Sequence, residues 1–301
     1  MAEGNQGLRE LSDRSRTLKL PDGRALGYCC YGEEGGAATF YFHGFPGSRL
    51  EAGFVAAPGL RLIAVDRPGY GLSSPLHGRA LLDWPADVGA LAGHLGLQRF
   101  GVLGISAGAP YALACAWALK DRITGAAIVC GIGPPDAPGM NEGLMRRLKR
   151  VGRKRMTFAV VVWLGRLILR RRDAERRFLA FRRNMNARLS SDVPKELAVS
   201  SDELARHLFV SWREGLRVSD GVLSDARIYA SPWRFELHDI RVPVHFWHGT
   251  EDRIVPVAVA RYGASKVPGA HAHIKDGEGH FSIILNWLPD IARSLIEESV
   301  P

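Results

Sequence analysis

The chain has 301 residues, of which 46% are hydrophobic and 24% are charged, and its formal net charge is +9. This composition is typical of a soluble globular protein and argues against disorder, and the length suits one large α/β domain with or without an insertion. The first twenty residues lack the apolar run of a signal peptide, so we expect a cytoplasmic location. The four cysteines show no metal-binding spacing, so we expect no metal and no cofactor.

The positive charge is concentrated in one stretch. Between Arg146 and Arg183 there are fifteen lysines and arginines against two acidic residues, so the rest of the chain is net acidic. A nucleic-acid partner would have to bind this stretch, which has no aromatic-interleaved or Cys/His motif to support it. We therefore expect no nucleic acid as partner.

Apolar runs alternate with helical patterns at both ends of the chain. Near the N-terminus, Thr17–Leu20 and Ala25–Tyr31 flank a PDG turn and predict a hairpin. Further strands are predicted over Thr39–Gly44, Leu60–Asp66, Phe100–Ser106, Ile123–Gly131, Val242–Gly249 and residues 270–277, and helices over Leu81–Leu95, Ala109–Leu119, Val257–Ser265 and Phe281–Glu298. Apolar runs without polar alternation are typical of a parallel sheet covered on both faces.

A serine follows the predicted strand that begins at Phe100. The sequence from Gly104 to Gly108 is GISAG, which matches the G-x-S-x-G pattern of a serine on a tight turn between a strand and a helix. The glycines avoid collisions on a strained backbone. A serine hydroxyl is a poor nucleophile at neutral pH and needs a base that a third group holds in place. Ser106 is therefore a candidate nucleophile.

Two downstream residues suit the other two roles. Asp252, in HGTEDRIVP, follows an apolar strand, and His280, in GEGHFS, lies between the last predicted strand and the last helix. Both would project over the same edge of the sheet as Ser106. Glu251, next to Asp252, and Asp136, after the preceding strand, remain alternatives for the carboxylate.

Five motifs together resemble those of the α/β-hydrolase superfamily, in particular of its members with a helical cap. They are HGFPG at His43–Gly47, DRPGYGLS at Asp66–Ser73, GISAG, HGTEDRIVP and GEGHFS. The resemblance implies an α/β fold with a mostly parallel central sheet flanked by helices. It also implies a catalytic triad of Ser106, Asp252 and His280, and an oxyanion hole formed by the backbone N–H groups of Phe45 and Ala107.

The resemblance further implies hydrolysis of a small-molecule carboxylic ester through an acyl-enzyme intermediate. Ser106 argues against dehalogenases and epoxide hydrolases of this fold, which have an aspartate at the same turn. A C–C bond hydrolase, an aminopeptidase, a lactonase and an acyltransferase remain alternatives, because the pocket sets the function. The main alternative outside enzymes is a noncatalytic ligand receptor on a hydrolase scaffold.

Other histidines are interpreted as structural. We expect His43 to brace the oxyanion loop by hydrogen bonding. His271 and His273 alternate on a predicted strand, but no third ligand is evident, so a zinc site is not predicted. His245 and His248 are left without a chemical role.

The middle of the chain predicts a helical insertion. We expect a catalytic domain of residues 1–134 and 225–301 with a helical cap of residues 135–224 inserted into it. The apolar centre of the cap, Phe158–Leu169, has 12 residues, too few to cross a bilayer as a helix. We interpret it as the underside of a lid above Ser106 with arginines facing water. A second hypothesis is that the basic cap contacts an anionic membrane.

Overall fold

The computed structural model describes residues 14–142, 146, 155–180 and 202–300. The N-terminal residues on which the expected location depends lie largely outside these ranges. The described strands are β1 (Arg16–Lys19), β2 (Ala25–Gly32), β3 (Ala37–Phe42), β4 (Leu60–Val65), β5 (Phe100–Ile105), β6 (Ile123–Val129), β7 (Val244–Gly249) and β8 (His271–Lys275). The described α-helices with both ends defined are α1 (Trp84–His94), α2 (Ala109–Ala118), α3 (Arg155–Leu169), α4 (Asp202–Gly215), α5 (Asp220–Tyr229), α6 (Ala258–Lys266) and α7 (Ser282–Glu297).

All of these strands belong to one sheet, in the order β1-β2-β4-β3-β5-β6-β7-β8. The predicted hairpin is present, with β1 antiparallel to β2, and β2 is also antiparallel to β4. Every other neighbouring pair is parallel. The prediction of a mostly parallel sheet flanked by helices is therefore confirmed. The carboxyl ends of β5, β7 and β8 lie at one edge, which receives the loops that follow them.

The apolar strands contribute side chains to two hydrophobic cores, one on each face of the sheet. In β5, Val102 packs into the core under α1, α2 and α6, whereas the next residue, Leu103, packs into the core under α7. Ala126 and Ala127 divide in the same way in β6. Because both faces are covered, polar residues are not needed at alternate positions.

The described part of the proposed insertion packs on the sheet domain through α4 and through the start of α5, where the N–H of Gly221 donates a hydrogen bond to the carbonyl of Gly69 at 3.1 Å. A 3-10 helix, Arg49–Phe54, contacts α4, where the Oγ of Ser211 accepts a hydrogen bond from the N–H of Ser48 at 3.0 Å. The helix α5 crosses the boundary that we placed between residues 224 and 225. We therefore propose a boundary in the loop after Tyr229. Residues 147–154 and 181–183 of the basic stretch lie outside the described residues.

The interpretation of Phe158–Leu169 as a lid underside with arginines facing water needs correction. Phe158 does face a cavity next to Ser106, but most of the large apolar side chains of α3 are exposed. Arg166 is instead half-buried and donates a hydrogen bond to the carbonyl of Arg217 at 2.8 Å. A nearly continuous apolar run places hydrocarbon on every side of a helix, and the sheet domain covers only one side.

Candidate active site

The backbone around Ser106 explains why its motif needs two glycines. Ser106 follows β5 and has a φ of 54°, in the left-handed region that residues other than glycine rarely adopt. A Cβ atom on Gly108 would lie 2.0 Å from the carbonyl oxygen of Phe42, and one on Gly104 would lie 2.8 Å from the carbonyl oxygen of Gly108. The turn can therefore close only without side chains at these two positions, and it places the Ser106 hydroxyl above the sheet edge.

Three side chains from distant parts of the chain meet at this edge. The Nε2 of His280 lies 3.0 Å from the Oγ of Ser106, and its Nδ1 lies 2.7 Å from the Oδ2 of Asp252. His280 and Asp252 are buried. The imidazole is therefore held between a hydroxyl and a carboxylate, the arrangement in which it can accept the proton of the hydroxyl.

Hydrogen bonds fix the Asp252 carboxylate from several directions. Its Oδ1 accepts bonds from the backbone N–H groups of Ile254 and Val255, at 2.9 and 2.8 Å. The Nε2 of His248 lies 3.1 Å from Oδ2 and 2.9 Å from the carbonyl oxygen of Val255, so this nitrogen carries the hydrogen. Burial opposes the charged form, but His280 and the bond from His248 outweigh it and hold the pKa of Asp252 below its usual range.

The alternative carboxylates lie elsewhere. Glu251 is exposed, although it is adjacent to Asp252 in the sequence. Asp136 is also exposed and lines a separate cavity with Trp233 and Arg234. The carboxylate in contact with His280 is that of Asp252.

The loop that bears Phe45 is held from below by a carboxylate that sequence analysis missed. The Oε1 of Glu51 accepts hydrogen bonds from the backbone N–H of Gly44 at 2.8 Å and from the hydroxyl of Tyr41 at 2.7 Å. Burial raises the pKa of Glu51, which these two bonds partly offset. Phe45 and Ala107, whose N–H groups we expect to form the oxyanion hole, line the same cavity beside Ser106.

His43 lies within this loop. Its Nδ1 donates to the carbonyl of Gly44 at 2.9 Å, and its Nε2 accepts a long bond of 3.4 Å from the N–H of Arg67. Burial lowers its pKa well below the ordinary value, so the ring stays neutral. These contacts agree with the predicted bracing role.

A second group that sequence analysis missed centres on the buried carboxylate of Asp225 in α5. It accepts hydrogen bonds from Arg67, Arg79, Tyr70, Tyr111 and Tyr229. Arg67 also donates to the carbonyl of Gly44 at 3.0 Å. Burial would raise the pKa of Asp225, but the two guanidinium groups hold it below its usual range. The cluster ties α5 to the loop that bears Phe45.

Two cavities meet at Ser106, with volumes of about 120 and 280 Å³. Phe45, Ser106 and Ile254 line both. Further residues of the smaller cavity include Ala107, Ile132, Met140, Phe158 and Tyr229. Further residues of the larger cavity include Glu51, Leu204, Leu208, Trp212, His280 and Phe281. Such apolar walls with a few polar groups suit a substrate that is mostly hydrocarbon.

The only described acidic, histidine or cysteine side chains clustered closely enough to hold a metal are Cys130, Asp252 and His280, whose donor atoms lie within 4.8 Å of one another. Both nitrogens of His280 already contact other groups, which leaves none directed at an ion.

The two histidines that alternate on β8, His271 and His273, lie next to a third histidine on β7. The Nδ1 of His245 lies 3.1 Å from the Nε2 of His273. The three rings of His245, His271 and His273 stack.

A mostly parallel sheet with a serine on the turn after a central strand, in contact with a histidine and a carboxylate at the same edge, is the arrangement of an α/β hydrolase. The sequence matches the model of the alpha/beta hydrolase fold family over residues 40–286. The chain therefore belongs to this family.

Solved structures share the fold at low identity. An esterase from Rhodococcus sp. ECU1013 is 22% identical, with a TM-score of 0.65, 94% of this chain and 98% of that chain covered. An esterase from Exiguobacterium antarcticum is 16% identical, with the same TM-score and coverage. A bromoperoxidase from Bacillus anthracis is 16% identical, with a TM-score of 0.66 and 94% and 99% covered. A search of curated proteins found no match. Because esterases and a bromoperoxidase share this fold, the fold alone leaves the reaction open.

Proposed function

We propose that the protein hydrolyses carboxylic esters through an acyl-enzyme intermediate on Ser106. The observation that carries the proposal is the 3.0 Å contact between the Nε2 of His280 and the Oγ of Ser106, at the junction of two apolar cavities. A nucleophile and its base within hydrogen-bond reach, with a third group that orients the base, are the parts that acyl transfer requires.

In the proposed reaction, the Oγ of Ser106 attacks the ester carbonyl carbon while Nε2 of His280 takes the hydroxyl proton. Asp252 keeps the other hydrogen on Nδ1 and stabilises the imidazolium. His280 passes its proton to the alkoxide as the C–O bond breaks and the alcohol leaves. Water, deprotonated by His280, then attacks the acyl-enzyme, and Ser106 regains its proton as the acid leaves.

Negative charge develops on the carbonyl oxygen in both steps. We assign its stabilisation to the backbone N–H groups of Phe45 and Ala107, and the loss of one such donor typically raises the barrier by ~3 kcal/mol. The apolar cavities favour an ester with short or medium acyl chains.

The proposal is tested with p-nitrophenyl esters of increasing acyl length. We expect hydrolysis by the wild type and a fall in kcat of at least about 1,000-fold in Ser106→Ala, because removal of the nucleophile abolishes the acyl-enzyme route. A fluorophosphonate probe is expected to label Ser106, as identified by mass spectrometry. Ser265→Ala, which changes an exposed serine on α6, is the matched control and should retain both activity and labelling.

The same measurements separate the alternatives. Turnover of lactones or aminoacyl anilides with no turnover of open-chain esters would replace the proposed substrate class while retaining the mechanism. Absence of labelling and of turnover across the whole panel would overturn the proposal in favour of a noncatalytic receptor.

A further inference from the structure

The helix α3 has an outward face made of large apolar side chains. Among the described side chains of α3, every exposed one is apolar. Their exposed fractions range from 45% for Leu167 to 84% for Met156. The others on this face are Val160, Val161, Trp163, Leu164 and Ile168. Elsewhere among the described residues, Val300 is the only large hydrophobic residue that is similarly exposed, at 69%. A contiguous patch of this kind on a soluble fold indicates an interaction surface.

The opposite face of α3 already has its partner. Val162 is buried in a cluster with Tyr70 and Val222, and Phe158 lines the smaller cavity beside Ser106. The helix is thus a wall of the candidate active site on one side and an uncovered apolar surface on the other. Whatever covers the outer face is separated from the cavity by a single helix.

Charge indicates which partner covers this face. Arg170, Arg171 and Arg172 directly follow α3 and are exposed. They belong to the stretch with fifteen basic and two acidic residues. A second copy of this chain would bring an equally basic surface against the first, which like-charge repulsion disfavours. An anionic lipid surface offers both hydrocarbon for the apolar face and negative charge for the arginines.

We propose that α3 lies in the interface of an anionic lipid bilayer, with its outer face among the acyl chains, and that the enzyme takes its acyl ester from that membrane. The second clause rests on the proposed esterase function. A helix of 15 residues is about 22 Å long and suits an orientation parallel to the surface. Among the described residues, no helix is both long and apolar enough to cross a membrane.

The first test measures sedimentation of the full-length Ser106→Ala protein with vesicles of phosphatidylcholine, with or without phosphatidylglycerol. We expect recovery with the anionic vesicles and little with the neutral ones. Leu167→Asp is expected to weaken the binding by about tenfold or more, because it removes an apolar side chain and adds a charge that hydrocarbon excludes. Val300→Asp is the matched control and should bind like the parent, and thermal unfolding checks that both variants fold.

Two further readouts test the arginines and the helix separately. Arg171→Gln with Arg172→Gln is expected to weaken binding to the anionic vesicles roughly fivefold per charge removed. The emission of Trp163, obtained as the difference from Trp163→Phe, is expected to shift to shorter wavelength when anionic vesicles are added. Equal recovery with neutral and anionic vesicles would overturn the proposal. So would a dimer in sedimentation equilibrium that Leu167→Asp dissociates, because a second copy would then cover the face.

Because the binding tests use Ser106→Ala, they do not depend on catalysis, and their failure leaves the esterase proposal standing. The substrate clause is tested with active enzyme. Leu167→Asp is expected to hydrolyse a water-soluble p-nitrophenyl ester like the wild type, but to lose most of its rate on the same acyl group presented in anionic vesicles. Equal losses on both substrates would contradict the membrane as the source of substrate.

Discussion

Ser106 occupies a backbone conformation that costs on the order of 1–3 kcal/mol for a residue other than glycine. The close approach of the Gly108 backbone to Phe42 shows that neighbouring chain segments enforce this conformation. This conformation places the hydroxyl beside the Nε2 of His280. The proposed reaction also requires that the loop bearing Phe45 is held in place, and Glu51 accepts a hydrogen bond from the backbone of Gly44 in that loop.

We predict that Glu51 positions this loop through hydrogen bonding rather than through its charge. Glu51→Ala would leave the N–H of Gly44 and the hydroxyl of Tyr41 without their acceptor, each at a cost of about 1–3 kcal/mol. We expect kcat for a p-nitrophenyl ester to fall at least about tenfold with little change in KM, because the N–H of Phe45 would be misplaced toward the transition state.

Glu51→Gln keeps a carbonyl oxygen that can accept both bonds, so it should restore kcat to within a few-fold of the wild type. Steady-state kinetics at a temperature well below each variant's Tm separate this effect from a loss of stability. Equal losses in the Gln and Ala variants would instead assign the role to the carboxylate charge.

The residues that sequence could identify are those that lie in motifs. Ser106, Asp252 and His280 each stand in a short pattern with its own turn chemistry, and they could be named before any coordinates were known. Glu51 could not, because it is one of 31 acidic residues and its partners approach it only after β3 and the following 3-10 helix pack together. The role of Asp225 could not be predicted either, because its partners Arg67 and Arg79 are distant from it in the sequence.

At the scale of the elements, α5 is joined to the sheet domain by a buried ionic cluster. Asp225→Asn would leave the guanidinium groups of Arg67 and Arg79 without their carboxylate in a buried site. We predict a loss of about 3–5 kcal/mol in the free energy of unfolding, measured by urea denaturation. Asp220→Asn, on the same helix but partly exposed, is the control and should change stability by less than about 1 kcal/mol. Similar small losses in both variants would mean that the cluster contributes little.

Periodicity predicted most strands and helices to within a few residues, because apolar runs and turn residues mark both ends. It could not orient α3. The run FAVVVWLGRLIL contains a single charged residue, Arg166, and no polar stripe, so its pattern does not show which face packs on the protein. Only the contacts of Phe158 and Val162 distinguish the inner face, and these depend on tertiary packing.

Across the whole molecule, buried and half-buried histidines link stability to pH. Burial lowers the pKa values of His43, His207, His245 and His273 from 6.5, that of His273 to about 4. In each case the unfolded chain binds a proton more readily than the folded one, so their contribution to stability is present above pH 6.5 and is lost as pH falls toward the folded pKa. Each such proton can contribute up to about 1.4 kcal/mol per pH unit.

Two buried carboxyl groups act in the opposite direction. Burial raises the pKa values of Glu51 and Asp66, so they take up protons in the folded protein first and favour it as pH falls. Their unfolded pKa values of 4.5 and 3.8 lie below that of histidine. Four histidines oppose two carboxyl groups, and the unfolded histidines take up their protons near pH 6.5, so we expect the histidines to dominate between pH 7.5 and 5.5.

We predict that the free energy of unfolding decreases as pH is lowered from 7.5 to 5.5, measured by urea denaturation at each pH. His273→Gln, which lies outside the candidate active site, should reduce this slope because one of the four groups no longer titrates. Gln98→Ala, which changes an exposed residue without a titratable side chain, is the control and should leave the slope unchanged. A stability that stays constant or rises over this range would show that the carboxyl groups outweigh the histidines. The balance between the two sets is a property of the whole core, since it combines groups at the loop that bears Phe45, such as His43 and Glu51, with the pair of His245 and His273 in the sheet.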